Sequence, residues 1–479
     1  AGCCWQCGLS VRMKRHLCAA CWQRGAQRLR GVHKTTGDTV KIVLPVHHFL
    51  PRYTAGAELY TYRLALWLRN HGHEVEVVAV EAVDHPASGR LDVTADIYDG
   101  IPVQRLRFNG EAGAQYWEYD NPLIGEWFAQ YLEHTRPDLV HFQAGYLIGV
   151  APLRAAVDAG VPAVLTLHDY WFICPRITLL RGDGALCHAV PDDPAECAWC
   201  LQLDRRRFRL PEQATGGWFG KVMLRAGLDI GTDAIAARRA ALLPALGLPD
   251  AVITPSRFLA SHMRAYVAAD RLHVVRIGLD LSRFAGIERR NDERILRIGF
   301  IGQIAPHKGV HLLIRAFRAL RPKAQRLELH IYGGLTTNPA YVDQLRRLAG
   351  GDDRIYFHGR VENTRVPDVL ANLDVAVVPS IWYENAPIAI LEAHAAGTPV
   401  VTAGIGGMAD LVRDGVDGLH FRFNDAADLA RVLQRLIDEP ELLSRLRSGI
   451  QKPRSIDDEM VQILAIYNDA FARYAARVR

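Results

Sequence analysis

Strand-like and helix-like runs alternate along this chain, and this alternation constrains its fold more than any other feature. Strand-like apolar runs in the first half lie at 41–46, 75–80, 138–142, 163–167 and 251–254. Those in the second half lie at 295–301, 327–332, 374–379 and 400–402. Helical periodicity lies between them, as in the amphipathic run from Glu58 to Asn70. The pattern predicts parallel sheets whose faces are covered by helices.

The length of the chain favours two large domains. Its 479 residues exceed what one hydrophobic core commonly serves, and both halves open with a strand, a Gly-containing loop and a helix. We therefore predict an α/β protein with two Rossmann-like, doubly wound domains that face each other across a cleft. The predicted parts are a Cys-rich module at 1–36, a first domain at 37–277 with an insertion at 174–203, a linker at 278–291, a second domain at 292–455, and a C-terminal helix at 456–479 that packs back on the first domain.

The segment 380–401 carries the strongest functional signal. Two acids, Glu384 and Glu392, flank the run Asn385-Ala386-Pro387 and the apolar residues that follow it. We predict strand, loop, helix and strand here, with Asn385 as the helix cap and Pro387 in the first turn. The free amides and positive dipole end of such a helix suit phosphate, and the two carboxylates suit hydroxyl groups. A sugar nucleotide is one ligand that has both features.

Three stretches of the second half resemble one known family. They are 300–317 (FIGQIAPHKGVHLLIRAF), the segment from Glu384 to Glu392, and 405–418 (IGGMADLVRDGVDG). They are similar to the Lys-Gly loop, the paired-glutamate motif and the Gly-Gly loop of the glycosyltransferase family 4 catalytic domain, which has the two-domain GT-B architecture. The first half resembles that family more loosely, at 51–65, 166–169 and 251–284.

The resemblance implies a retaining enzyme that moves a sugar from a nucleotide-diphosphate donor to a hydroxyl group. The acceptor would be a saccharide or a lipid-linked molecule, in polysaccharide or glycolipid biosynthesis. The resemblance also implies front-face attack, in which the leaving phosphate takes the acceptor proton, and we expect no catalytic metal. Two alternatives stay open: a catalytically inactive GT-B scaffold that binds partners through a zinc arm, and a sugar-nucleotide epimerase or phosphorylase.

The same resemblance assigns roles in the second domain. Glu384 is expected to bind hydroxyls of the donor sugar and Glu392 those of the ribose, although both acids also fit an exposed helix. Lys308 is expected to contact the diphosphate as a point charge, or else to be a solvated loop residue. Gln303 replaces an arginine that the family usually places near this lysine, and a neutral amide binds phosphate less well. The rest of the predicted donor site comprises Asn385, Ala386, Pro387, Ile388 and Arg360.

In the first domain the resemblance points to a glycine loop and a strand end. Gly56 permits close approach of the backbone to phosphate. His168 follows a predicted strand at its carboxyl end, where sites of doubly wound sheets lie, and it is predicted to be catalytic together with Glu384 and Lys308. A core or capping histidine is the alternative. Asp169 is a candidate on the acceptor side, with a turn cap as its alternative.

The nine cysteines fall into two groups, one in the N-terminal module and one after the His168 strand. No leader-like apolar stretch is evident, so we expect a reducing, cytoplasmic setting in which clustered cysteines bind metal. We predict one or two structural Zn²⁺ sites, with disulfides as the alternative. The predicted ligands are Cys4, Cys7, Cys18 and Cys21 in the module, and Cys174, Cys187, Cys197 and Cys200 in the insertion.

Charge distribution limits the partners of the chain. Its net charge is +5, but residues 1–37 hold seven Lys or Arg and no acid, so the remainder carries −2. Nucleic acid is therefore an unlikely partner for the two domains, whereas a protein partner for residues 1–36 stays open. Basic and aromatic residues mix at 203–243. This mixture indicates either a peripheral site on the anionic inner face of a membrane or a solvated pair of helices.

Overall fold

A computed structural model of the chain describes residues 35–82, 90–108, 118–227, 230–289, 294–323 and 325–478. The N-terminal cysteines predicted as zinc ligands, Cys4, Cys7, Cys18 and Cys21, lie outside the described residues. The described chain forms two open sheets covered by helices, and the prediction of two doubly wound α/β units is confirmed. No helix in these ranges is long and apolar enough to cross a bilayer.

The first sheet has eight described strands, in the spatial order β3-β4-β2-β1-β5-β6-β7-β8. They are β1 Lys41–His47, β2 Glu74–Ala82, β3 Leu91–Tyr98, β4 Ile101–Phe108, β5 Leu139–Phe142, β6 Ala163–Thr166, β7 Ala251–Thr254 and β8 Leu272–Val274. Every pair in it is parallel except β3 with β4. Central strands are buried on both faces, which explains why they read as continuous apolar runs.

The second sheet is wholly parallel, in the order β11-β10-β9-β12-β13-β14. Its strands are β9 Ile295–Ile301, β10 Arg326–Tyr332, β11 Ile355–Gly359, β12 Val375–Val378, β13 Val400–Ala403 and β14 Gly418–Phe421. Chain order reverses between β9 and β12, and in the first sheet between β1 and β5. Ligands of doubly wound folds bind outside the carboxyl ends of strands at such points.

Helices pack on both sheets. They are α1 Gly56–Asn70, α2 Pro122–Thr135, α3 Ala151–Asp158, α4 Pro194–Gln202, α5 Arg206–Ala214, α6 Trp218–Arg225, α7 Thr232–Ala245, α8 Arg257–Met263, α9 Val310–Ala319, α10 Pro339–Ala349, α11 Val366–Ala371, α12 Ile388–Ala395, α13 Gly406–Leu411, α14 Ala426–Asp438, α15 Pro440–Gly449 and α16 Ile456–Val478. Short 3₁₀ turns occur at Leu281–Phe284, Pro306–Lys308 and Asn363–Arg365.

The last helix, α16, packs against the core of the first lobe. Ile463 and Tyr467 are fully buried there, and the Tyr467 hydroxyl lies 2.7 Å from Nδ1 of His141 in β5. Glu459 accepts hydrogen bonds from the Tyr60 hydroxyl (2.8 Å) and from the Gly278 amide (2.7 Å). Burial raises the pKa of Glu459 to about 7. The C-terminal helix thus joins α1 to the crossover between the lobes.

Candidate active site

Two loops of the second lobe are locked together where β9 and β12 end. The amide of Ile381 donates to the carbonyl of His307 (2.8 Å), which ties the loop after β12 to the turn that carries Lys308. Gly309 ends that turn with φ +71°, and a Cβ there would stand 1.9 Å from the carbonyl oxygen of Pro379. Only glycine permits both the backbone angle and the approach. The sequence therefore places Lys308 beside the loop that holds Glu384.

Glu384 is buried and accepts three hydrogen bonds on one carboxylate oxygen. Its Oε1 lies 2.6 Å from Nζ of Lys308, 2.7 Å from the Ser380 hydroxyl and 2.9 Å from Nε1 of Trp382. Burial opposes the charged form, but Lys308 and these hydrogen bonds outweigh burial and hold the pKa of Glu384 below its ordinary value. The structure thus brings together two predicted catalytic residues. Ser380 and Trp382 were missed, although they stand in the same motif.

Asn385 connects the two lobes. Its Nδ2 donates to the carbonyl of His168 (2.8 Å), which lies in the first lobe two residues after β6. The prediction that Asn385 caps the following helix is wrong, because α12 begins at Ile388 and Pro387 is the residue before it, with ψ 111°. The extended Pro387 sets the helix start two residues later than predicted, and the side-chain amide of Asn385 bonds across the cleft instead.

The start of α12 exposes unpaired donors to the space between the lobes. The amides of Ala386, Ile388 and Ala389 have no hydrogen-bond partner among the described residues. The first amides of a helix lie at the positive end of its dipole. An anion bound at the N-terminus of α12 would satisfy these donors.

A glycine pair supports this loop from behind. The amide of Gly407 donates to the carbonyl of Glu384 (2.7 Å). A Cβ on Gly407 would stand 1.7 Å from the carbonyl oxygen of Asn385, and Gly406 has φ +56°. These two positions require glycine, which gives a physical reason for the Gly-Gly sequence at the start of α13.

Glu392 lies in the second turn of α12 in a different environment. Its Oε1 is 3.7 Å from Nη1 of Arg283, and the charge of Arg63 in α1 also acts on it. Burial raises the pKa of Glu392 despite both arginines. Sequence reasoning missed Arg63 and Arg283, because each is an isolated basic residue in its own segment.

The first lobe contributes His168 and Asp169 to the cleft. Nε2 of His168 is buried without a hydrogen-bond partner in the described structure, and the ring packs edge-on against Tyr60 at 4.9 Å. Burial lowers the pKa of His168 to about 4, so the ring is neutral at pH 7. Asp169 accepts from the amide of Trp171 (2.8 Å), and burial raises the pKa of Asp169 to about 6.

A further polar group that was not predicted lies where β1 ends and α1 begins. Ligand atoms of His47, His48 and Glu58 lie within 4.8 Å of one another. Nδ1 of His47 and Oε2 of Glu58 are buried and lack partners within the described ranges. Burial lowers the pKa of His47 to about 3. A His-His pair directly after a strand was the sequence signal for this group, since polar residues at strand ends mark sites.

Three predicted donor residues lie at the rim of the cleft. Gly56 is the first residue of α1, and a Cβ there would meet nothing within 4 Å. Nη2 of Arg360 donates to Oγ1 of Thr54, in the loop before Gly56, at 3.3 Å, so this arginine crosses between the lobes. The side chain of Gln303 is exposed and has no bond to other described residues.

The four cysteines of the insertion line one small cavity, and none of them forms a disulfide. Beside this cavity, Nδ1 of His188 lies 2.8 Å from the hydroxyl of Tyr383, the residue before Glu384. The insertion of the first lobe therefore reaches the loop of the second lobe that holds the buried glutamate.

Two family models match most of the chain. The model described as "Glycosyl transferase 4-like domain" matches residues 55–278. The model described as "Glycosyl transferases group 1" matches residues 287–452. The two matches correspond to the two lobes, and the second includes the whole Glu384 loop and α12.

Two curated relatives match the chain over different lengths. The D-inositol 3-phosphate glycosyltransferase 2 of Catenulispora acidiphila is 31% identical over 422 residues, which cover 84% of this chain and 86% of that protein. The D-inositol 3-phosphate glycosyltransferase of Salinispora arenicola is 32% identical over 228 residues, 43% of this chain and 51% of the relative. The chain thus spans about half the length of the first curated relatives it matches.

Solved structures are similar in fold. Sucrose-phosphate synthase of Thermosynechococcus elongatus has a TM-score of 0.62 and 18% identity, over 90% of this chain and 99% of that one. HepE of Anabaena in complex with UDP and glucose has a TM-score of 0.58 and 18% identity, over 89% and 99%. At such identities the likeness shows the two-lobed fold alone.

Proposed function

Since the chain belongs to the glycosyltransferases that combine a glycosyl transferase 4-like domain with a group 1 domain, we propose that it transfers a sugar from a nucleotide-diphosphate donor to a hydroxyl group. The anomeric configuration of that sugar is retained. The observation that carries the proposal lies where β9 and β12 end: buried Glu384 bonds to half-buried Lys308, near the start of α12, whose first amides have no partner among the described residues. Carboxylate, cation and helix start together match the sugar and diphosphate of such a donor.

The departing diphosphate gains negative charge when the glycosidic bond breaks. Lys308 has three N–H donors, so it can keep its bond to Glu384 and still donate to a phosphate oxygen. The amides of Ile388 and Ala389 supply further donors that are already in position before the reaction. Fixed donors of this kind stabilise developing charge at little reorganisation cost. Glu384 would then hold the sugar, and Glu392, flanked by Arg63 and Arg283, the ribose hydroxyls.

The acceptor would bind on the first lobe. His168, His47 and Glu58 each present a buried polar atom without a partner in the described ranges, and such atoms are costly unless a ligand or water satisfies them. Hydroxyl groups both donate and accept, so a polyhydroxylated acceptor fits these atoms. Asp169 orders the turn after His168 and is assigned a positioning role. The hydrogen bond from Asn385 to His168 would hold the acceptor and donor sides in a fixed relative position.

A two-step assay tests this function. UDP-, GDP-, ADP- and dTDP-sugars are first screened by thermal shift, since a donor at about 100 times its Kd stabilises the folded state by ~2.7 kcal/mol. The donor that raises Tm is then incubated with saccharide and lipid-linked acceptors. We expect release of the nucleoside diphosphate and a product with the donor's anomeric configuration. A chain that no donor stabilises, or that consumes donor equally without acceptor, would contradict the proposal.

A membrane-proximal acceptor is supported by the surface of α5 and α6. Leu210, Trp218 and Val222 are exposed there at 48%, 66% and 39%. The exposed basic residues around them are Arg205, Arg206, Arg207, Lys221 and Arg225. The one acid between 205 and 227, Glu212, is buried and bonded to the Gly220 amide. Apolar side chains rimmed by cations suit the surface of an anionic bilayer.

Flotation with vesicles tests that surface. We expect the chain to float with phosphatidylglycerol vesicles but not with phosphatidylcholine vesicles, and to lose flotation at high salt. Trp218→Ser should weaken flotation, whereas Ile97→Ser, at a 73% exposed apolar residue elsewhere, should not. No flotation with anionic vesicles would remove the membrane part of the proposal and leave sugar transfer intact.

A further inference from the structure

The insertion after His168 brings four cysteines from three local structures to one cavity. Cys174 lies in a turn in which its own amide donates to the carbonyl of Tyr170 (2.8 Å). Cys187 follows directly after the antiparallel bridge between Leu180 and Leu186. Cys197 and Cys200 lie three residues apart on α4, so they share one face of the helix. We propose that these four cysteines bind one structural zinc ion as thiolates, and that the ion pins the insertion against the donor loop.

The size of the cavity suits a single ion. Its volume is about 20 Å³, which is close to the space that one water-sized sphere occupies. In the described chain, His47, His48 and Glu58 form the one group of three ligand side chains with all atoms within 4.8 Å. The sulfurs are thus spread wider than the ~3.8 Å edge of a tetrahedron with ~2.3 Å Zn–S bonds. The proposed site therefore requires the four side chains to turn inward about χ1, a cysteine side chain's single heavy-atom torsion.

Three arginine side chains lie at the cavity. Arg176 and Arg181 line it, and Nη2 of Arg239 donates to Sγ of Cys197 (3.1 Å). Arg176 and Arg181 also pair with Asp204 (2.7 Å) and Asp183 (3.3 Å), so the guanidinium groups offset only part of the net charge of about −2 that four thiolates around Zn²⁺ would carry. Arg239 also donates to the carbonyls of Pro191 and Asp192, so it fastens the loop between Cys187 and Cys197 to α7.

The insertion also contacts the cleft, so the proposed ion would affect the donor loop. His188, directly after Cys187, bonds to the hydroxyl of Tyr383, whose neighbour is Glu384. An ion that fixes Cys187 would therefore fix the first-lobe partner of the donor loop. This coupling rests on the proposed sugar transfer, whereas the zinc site itself does not.

Zinc content of the freshly purified full chain tests the site. We expect Cys197→Ser/Cys200→Ser to contain about one zinc fewer per chain than the wild type. The same comparison is repeated in a Cys4→Ser/Cys7→Ser background, where the other predicted zinc site is removed and any zinc that remains belongs to the insertion. Equal zinc in the wild type and the Cys197→Ser/Cys200→Ser variant would overturn the proposal.

If the Cys197→Ser/Cys200→Ser variant does not fold, cysteine alkylation of the wild type tests the zinc site instead. Cys174, Cys187, Cys197 and Cys200 should resist N-ethylmaleimide together and become reactive together after a chelator is added, as peptide mapping would show. Disulfides among them, or reactivity that ignores the chelator, would contradict the site. Donor KM should rise several-fold after chelation if the coupling holds. Zinc bound to a chain without transferase activity would instead refute the proposed function and leave the metal site standing.

Discussion

The two lobes differ in how many of the polar side chains at the cleft already have hydrogen-bond partners within the protein. In the second lobe, Glu384 is satisfied by three donors and is charged. In the first lobe, His47, His168 and Glu58 each keep a buried atom without a partner in the described structure. The carboxylate of Glu384 is therefore fixed before any ligand arrives, and the second lobe leaves mainly backbone amides at the start of α12 for a ligand, whereas the first lobe leaves side-chain atoms that a ligand or water must complete. Donor binding should thus depend on preformed contacts, and acceptor binding on contacts that the acceptor itself completes.

The largest effect is expected at Glu384. Glu384→Gln keeps the shape but removes the charge that Lys308, Ser380 and Trp382 surround, so turnover should fall by about 100-fold or more, ~2.7 kcal/mol. Initial rates at saturating donor measure it. Glu441→Gln, an exposed glutamate on α15, is the matched control and should be unaffected. Near-normal turnover in a folded Glu384→Gln protein would refute the assignment.

Acid should weaken the folded chain through histidines that are buried in their neutral form. Burial lowers the pKa of His47 and His141 to about 3 and of His168 to about 4. The unfolded chain takes up these protons near pH 6.5 and the folded chain does not, so stability is lost as pH falls below 6.5. Each histidine would contribute up to ~2 kcal/mol of loss at pH 5. Asp169 and Glu459, whose pKa values burial raises to about 6 and about 7, act in the opposite direction, because the folded chain takes up their protons before the unfolded chain does.

The free energy of unfolding in denaturant, compared at pH 7 and pH 5, measures this pH dependence. His168→Asn should reduce the pH dependence by about 2 kcal/mol, and His134→Asn, at an exposed histidine of α2, should leave it unchanged. An unchanged pH dependence in a folded His168→Asn protein would contradict this account of His168.

A smaller effect is expected at His168 in catalysis. His168→Asn removes the unpartnered Nε2, and kcat/KM for the acceptor should fall about tenfold, the equivalent of one hydrogen bond worth ~1.4 kcal/mol. The Kd of the donor nucleotide should hardly change, because this group faces the acceptor side. A donor Kd that rises as much as the acceptor kcat/KM falls would place His168 in the wrong half of the cleft.

The smallest effect is expected at the contact between the insertion and the donor loop. Tyr383→Phe removes the bond to His188 and should raise donor KM roughly two- to tenfold, as the loss of one hydrogen bond of ~0.5–1.5 kcal/mol implies. His188→Ala should do the same, and the double variant should be no worse than either single one. Additive losses would mean that the two residues act separately.

Sequence reasoning succeeded where the signal was local. The Glu384 loop, Lys308-Gly309 and the central strands are contiguous motifs or apolar runs, and they could be read directly. The hairpin of β3 and β4 was missed, although Asp99-Gly100, with φ +48° and +74°, is a strong turn signal between alternating residues. Arg63 and Arg283 could not be foreseen, because only the packing of the lobes brings them to Glu392. Asn385 failed as a cap because Pro387 is extended and α12 begins only at Ile388, and the side-chain amide bonds instead to a residue 217 positions away.

A structure of the chain with bound nucleoside diphosphate would locate the donor site outright. We expect diphosphate oxygens within hydrogen-bond distance of the Ile388 or Ala389 amide and of Nζ of Lys308, with the ribose on Glu392. A nucleotide bound elsewhere, with the start of α12 left unoccupied, would refute the assignment of the second lobe as the donor lobe.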